Sequence, residues 1–205
     1  FIMSSKDMCT VGIIPEIIEA GVNSFKIEGR MKSVYYTSLV TNAYRIAIDA
    51  FYADPEGYAL DESILLELDS VSHREYCTGY YLDEPKNEPN LCTTGGYIRE
   101  KAYFAEAPAP ESDEERDALP NLPEGIETQN ENGRLYLFVQ RNKVKLGDLA
   151  EIISPGKVGR AFTVSELYLP DGTPIESAPH PSMHFFVRVP FSVAGGDIMR
   201  EGRGE

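Results

Sequence analysis

The stretch Ser24-Phe25-Lys26-Ile27-Glu28-Gly29-Arg30-Met31-Lys32 alternates apolar and charged side chains. A period of two puts Phe25 and Ile27 on one face of a strand and Lys26, Glu28 and Arg30 on the other. The apolar face suits packing beneath helices. The charged face gathers opposite charges where a parallel strand hands over to its loop, the end at which active sites collect in βα architectures. Gly29 allows a tight turn or a close backbone approach there. The same pattern also fits an internal ion-pair network that only closes a sheet, so a catalytic and a structural reading both stand at this level.

Working outward, the segments on either side read as helices. Pro15 suits a first helical turn, Ile17 and Ile18 supply an apolar face, and Gly21 ends the helix. From Val34 to Tyr52 the residues Tyr36, Val40, Ala43, Ala47 and Ala50 recur at helical spacing, and Asp54-Pro55-Glu56-Gly57 stops the run. Asp61 caps a shorter helix carrying Ile64, Leu65, Leu68 and Val71. The apolar opening Phe1-Ile2-Met3 reads as a strand already under way, as if the sequence began inside a larger domain. Residues 1–72 are therefore expected to run strand, helix, strand, helix, helix.

The character changes after Leu82. Residues 83–93 form a polar, proline-containing linker, and the rest, 94–205, reads as short strands: Tyr97 to Ala105, Arg134 to Gln140, Asp148 to Ile153, Arg160 to Leu169 and His184 to Val189. Asn132-Gly133, Pro155-Gly156 and Asp171-Gly172 are turn signals between them. Such spacing without long helices predicts an all-β barrel or sandwich. Around 108–125 lies an acidic, proline-rich insertion with few apolar residues, expected to be mobile. The fold class is α+β and multidomain: a βα part over 1–82 and a small all-β barrel beyond.

Composition narrows the function. The 205 residues carry a net charge of −14, and the excess acid falls after residue 53, most densely in Glu111-Ser112-Asp113-Glu114-Glu115-Arg116-Asp117. Such a surface repels phosphate backbones, so no DNA partner is expected, while a local basic site can still hold RNA. No run reaches the ~18 to 20 apolar residues of a membrane span and no leader pattern occurs, so a cytoplasmic protein with no membrane partner is expected. Cys9, Cys77 and Cys92 are too few and too scattered for a disulfide framework or a zinc site. His73-Arg74 reads either as an anion-binding pair or as a packed connector. Tyr76, Tyr80 and Tyr81 read either as stacking platforms for bases or as interface cement. His180 and His184 are assigned no chemistry. The nucleophile elbow, phosphate-binding loop and metalloprotease helix are all missing from the sequence.

Taken together, Ser4-Ser5-Lys6-Asp7-Met8-Cys9, Ile14-Pro15-Glu16-Ile17-Ile18-Glu19-Ala20-Gly21-Val22, Ser24 to Lys32, Tyr35-Tyr36, Ala43-Tyr44-Arg45, Ala47-Ile48-Asp49, Ser72-His73-Arg74 and Thr78-Gly79-Tyr80 resemble the collagenase-like U32 peptidase family. The likeness is close over 1–82 and looser beyond, where these proteins carry a small C-terminal β-barrel similar to the elongation-factor type. The resemblance implies that 1–82 are the last βα units of a TIM-like barrel, with the larger upstream part absent. It implies an iron–sulfur cluster in the parent protein, most of whose ligands lie outside this sequence. Cys9 stands where many members carry a cysteine, which makes it a candidate fourth cluster ligand. Other members carry a cysteine beside the tyrosine pair, where this sequence has Thr37.

By the same resemblance, the first function expected is iron–sulfur-dependent RNA hydroxylation of the prephenate-linked tRNA uridine type, with tRNA or ribosomal RNA as partner. Glu28 and Arg30 would be catalytic, and Lys26, Lys32, His73 and Arg74 would bind substrate. A collagenase-like peptidase acting on a protein is the alternative, and a noncatalytic RNA- or protein-binding module the second. The fragment alone is expected to be inactive.

Overall fold

In the computed structural model, which describes residues 4–82, 91–93, 96–98 and 101–203, the chain divides into two compact units, 1–100 and 101–205. The strand expected at Phe1 to Met3 and the core of the linker, 83–90, lie outside the described residues.

Helix formation in the first unit follows its local signals. β1 (Asp7–Met8) leads through a 3-10 turn, Val11–Ile13, into α1 (Ile14–Glu19), with Pro15 in its first turn and Gly21 just beyond it at φ 86°. α2 (Val34–Ala53) is capped by Ser33, whose hydroxyl accepts from the Tyr36 amide. α3 (Glu62–Asp69) is capped by Asp61, which accepts from the Ser63 amide. The chain then returns as β2 (Tyr76–Cys77), parallel to β1, with Asp7 opposite Tyr76 and Met8 opposite Cys77. Val11, Ile14 and Ile17 pack with Leu39, Val40, Ala43, Ala47, Ile64 and Leu68 as the buried core. Leu39 and Phe51 join α2's buried face, while Ala50 turns to solvent.

One expectation fails here. Ser24 to Glu28 is not a strand. The alternation survives, since Phe25 and Ile27 are half-buried and Lys26, Glu28 and Arg30 exposed, but no ladder holds the segment. Side-chain patterning sets which residues face inward; a strand also needs a neighbour to accept its backbone bonds. In this unit β1 and β2 pair with each other.

The second unit is antiparallel. Its strands are β3 (Tyr103–Glu106), β4 (Gln129–Asn130), β5 (Gly133–Gln140), β6 (Val144–Lys145), β7 (Leu149–Ile153), β8 (Arg160–Thr163), β9 (Leu167–Tyr168), β10 (Ser177–Ala178), β11 (His184–Val189) and β12 (Ile198–Glu201). Eight of them form one sheet in the order β8-β7-β12-β3-β5-β11-β9, with β4 beside β5, while β6 and β10 pair separately. The longest register runs from His184 opposite Val139 to Val189 opposite Arg134. Six inter-strand steps of ~4.8 Å would put the end strands of a flat sheet about 29 Å apart. Yet Phe162 of β8 and Leu167 of β9 belong to one buried cluster with Phe104, Phe138, Phe185 and Met199. The sheet is therefore curled around its core, a half-barrel whose path has two ends.

All three turn signals fall between strands, with Gly133, Gly156 and Gly172 at positive φ. The expected strand from Tyr97 begins only at Tyr103, and the run from Arg160 to Leu169 breaks into β8 and β9. Within 108–125, α4 (Asp113–Asp117), capped by Ser112, is the sole helical segment and buries no residue.

Candidate functional site

Residues of the first unit, from Asp7 to Tyr97, surround a cavity of about 490 Å³. Cys9, Lys26, Glu28, Arg30, Lys32 and Arg74 all line it, so six of the seven residues singled out from sequence converge on one space. The loop that carries four of them is pinned by short-range geometry. A turn closes with the Lys32 amide on the Gly29 carbonyl at 2.9 Å. A Cβ on Gly29 would stand 2.8 Å from Thr37 Oγ1, so glycine is what lets this loop press against the first turn of α2.

Two of the cations are firmly held. Arg74 donates from Nε to Asp7 Oδ1 at 2.8 Å, its NH2 lies 2.7 Å from the same oxygen, and its amide reaches Oδ2 at 3.0 Å. This clamp ties β1 to the approach of β2. Lys32 Nζ donates to the Ser72 carbonyl at 2.7 Å and lies 4.9 Å and 4.3 Å from the ring centroids of Tyr36 and Tyr97. The Arg74 guanidinium also lies over Tyr97, at 5.9 Å.

The other two are loosely held. Lys26 Nζ stands 3.8 Å from Glu28 Oε2, with both side chains well exposed at 87% and 68%. Glu28 accepts a hydrogen bond from the Arg30 amide at 2.9 Å. Among the described residues the Arg30 guanidinium has no carboxylate partner.

His73 is the residue of the seven that lies off the cavity. It is 4% exposed, does not line the cavity, and stacks on Tyr76 with ring centroids 4.1 Å apart. Its Nδ1 donates to the Arg74 carbonyl at 2.7 Å, and its backbone exchanges hydrogen bonds with Ile98. The imidazole thus packs on Tyr76, away from the cavity. Tyr76 donates to the Leu68 carbonyl at 2.9 Å and lines the cavity, as does the half-open Tyr81, whereas Tyr80 is exposed.

Cys9 sits at the end of β1, its amide on the Cys77 carbonyl at 2.8 Å. Burial pushes its thiol up, partly offset by hydrogen bonds involving Val11 and the Tyr44 hydroxyl. The Thr10 amide donates to Tyr44 Oη at 2.7 Å, and burial, with Cys9 next, takes that phenol to about 12. A raised thiol is a poor free nucleophile, whereas a metal would deprotonate it. An iron–sulfur cluster takes four thiolates. Among the described residues Cys9 is the one thiol on the cavity, and no group of three or more metal-binding side chains is formed. The donor set present fits one corner of a cluster and does not complete one.

Asp7, Tyr36, Tyr44 and Tyr97 were missed from sequence. Asp7 and Tyr44 lie inside quoted stretches, but nothing local signals that they face a shared space. Tyr97 was read as part of a strand.

Comparison with known proteins adds the following. The model of peptidase family U32 matches residues 1–90, and that of the peptidase family U32 C-terminal domain matches 125–200. The tRNA hydroxylation protein P1 of Bacillus subtilis is 29% identical over 203 residues, 99% of this chain and 44% of its own length. A collagenase of Porphyromonas gingivalis is 35% identical over 107 residues, 50% of this chain and 28% of its own length. The chain thus spans less than half of either relative. A crystal structure of the C-terminal domain of a Geobacillus thermoleovorans chain described as a U32 peptidase covers 50% of this chain and 93% of its own length, at a TM-score of 0.37 and 15% identity. No helix among the described residues is long and apolar enough to cross a membrane.

Proposed function

The chain belongs to peptidase family U32, and from that premise we propose that it is part of a protein that hydroxylates tRNA uridine. One observation carries the reading: likeness to a tRNA hydroxylation protein runs along 99% of the chain, through both units, whereas likeness to the collagenase stops at half. The cavity supports it. Four cations against two carboxylates line it, in a protein whose net charge is −14, so an anionic substrate finds its attraction focused there.

In this reading Lys26 and Arg30 bind the RNA backbone, Lys32 and Arg74 hold the walls, and Glu28 exchanges a proton with the substrate. Cys9 supplies one ligand to an iron–sulfur cluster completed from elsewhere in the protein. Such a cluster contributes one-electron chemistry. A thiol peptidase is less well supported. His73 does not line the cavity that Cys9 lines, so the base that a Cys/His mechanism needs is not offered there.

The test is mass spectrometry of nucleosides from bulk tRNA of a strain lacking the gene, with and without the full-length gene restored. Loss and recovery of 5-hydroxyuridine-type nucleosides is expected. Unchanged nucleosides in the deletion strain would refute the reading.

A further inference from the structure

Resting on the tRNA reading, we propose that the cavity receives one unstacked pyrimidine nucleotide, with its base laid on Tyr97 and its phosphate at Arg30 and Lys26. Three features carry this. Tyr97 lines the cavity and keeps 55% of its surface exposed while two cations, Lys32 and Arg74, lie near its ring. Lys32, anchored on the Ser72 carbonyl, draws electron density from the ring and fixes it without hydrogen-bonding to it. A ring so held is a stacking platform that presents a π-face and asks no particular base pattern. The second feature is the contrast among the cations. Lys32 and Arg74 are committed to the protein, whereas Arg30 and Lys26 stand exposed on the loop, bound by at most a long surface contact. Exposed guanidinium and ammonium groups lining the same cavity as a planar platform match a nucleotide's two ends, its phosphate and its base. The third is size: about 490 Å³ is within the range of pockets that enclose a single small ligand and far too narrow for a helix of RNA. RNA stem must therefore stay outside, and only a looped-out nucleotide enters, as sequence-reading RNA proteins commonly require.

The test uses the full-length protein and a fluorescently labelled RNA stem–loop with uridine in its loop, with the same strand annealed into a full duplex as the comparison. Tyr97→Ala should weaken loop binding by about 5- to 150-fold, the worth of one base–aromatic stack. It should leave the salt dependence unchanged, and Tyr97→Phe should restore binding. Arg30→Ala and Lys26→Ala should each reduce the salt slope by about one, with thermal melts unaltered. Equal affinity for loop and duplex would overturn the proposal. So would a Tyr97→Ala protein that binds and hydroxylates normally while the wild type is active. Should the wild type itself leave tRNA unmodified, the tRNA reading fails instead, which the deletion strain reports separately.

Discussion

The two units use charge in opposite ways. In the second, Glu151 of β7 faces Arg200 of β12 directly across the ladder, and both Arg200 and Lys101 bond its carboxylate at 2.6 to 2.8 Å, with all three side chains at most 9% exposed. Gly159 closes over this cluster so tightly that a Cβ would stand 2.7 Å from both Arg200 and Glu151. Arg188 is likewise consumed by Glu166 and by the carbonyls of Gly133 and Glu127. In the first unit the carboxylates around the cavity leave Arg30 and Lys26 facing solvent. Charges paired inside a sheet are costly to break singly, whereas exposed charges at a cavity rim contribute little to stability.

The largest effect expected from this contrast is on stability in the second unit. Glu151→Gln leaves two cations buried with no counter-charge, and should cost about 3 to 5 kcal/mol in a denaturant titration. A loss below about 1 kcal/mol would show that water reaches the cluster and that the buried pair is not structural.

Acid should separate the units next. Burial opposes ionisation of Glu106 and Glu151, but bonds from Tyr103 and Arg141 and from Lys101 and Arg200 outweigh it, and Arg188 does the same for Glu166, so all three carboxyls are lowered from 4.5. Folded values below unfolded ones mean stability fully present above 4.5 and lost as pH falls through the folded values. In the first unit the exposed cap Asp61 is also lowered, by its hydrogen bonds with Ser63. Amide exchange followed from about pH 6 to pH 3 should therefore show the second unit's sheet losing protection. Constant protection of β7 and β12 across that range would contradict the ledger of paired carboxylates.

The smallest stability change should come from the rim. Lys26 and Glu28 are exposed and 3.8 Å apart, a surface pair worth at most about 1 kcal/mol. Lys26→Ala and Arg30→Ala should leave the melting temperature nearly unchanged, and a cooperative destabilisation matching that of Glu151→Gln would turn the rim into another structural network.

Much of this was legible in sequence, and the gaps have physical causes. Helices announced themselves through local signals: Pro15, the cap Asp61, and 3.6-residue periodicity. Turn glycines did so as well. β12 went unread although it lies between β7 and β3 in the sheet, because Arg200 at a buried position breaks the apolar alternation a strand is recognised by. The reverse error occurred at Ser24 to Glu28, where alternation is present but no pairing partner is. Cys9, Lys26, Glu28, Arg30, Lys32 and Arg74 were placed on one site by their local chemistry and by family likeness. Asp7, Tyr36, Tyr44 and Tyr97 reach it only through tertiary packing, which no local pattern encodes, and His73, a polar residue beside an arginine, was instead taken into the core.

The central claim is that the cavity of the first unit is the working site of a tRNA-hydroxylating protein. Its most direct test is to restore the full-length gene to a deletion strain as wild type, Glu28→Gln or Arg30→Ala, and to measure hydroxylated uridine in tRNA alongside each purified protein's melting temperature. The account predicts modification reduced at least about tenfold in both variants, a barrier change of about 1.4 kcal/mol or more, with melting temperatures close to wild type. Normal modification in both variants, or unfolding of both, would contradict it.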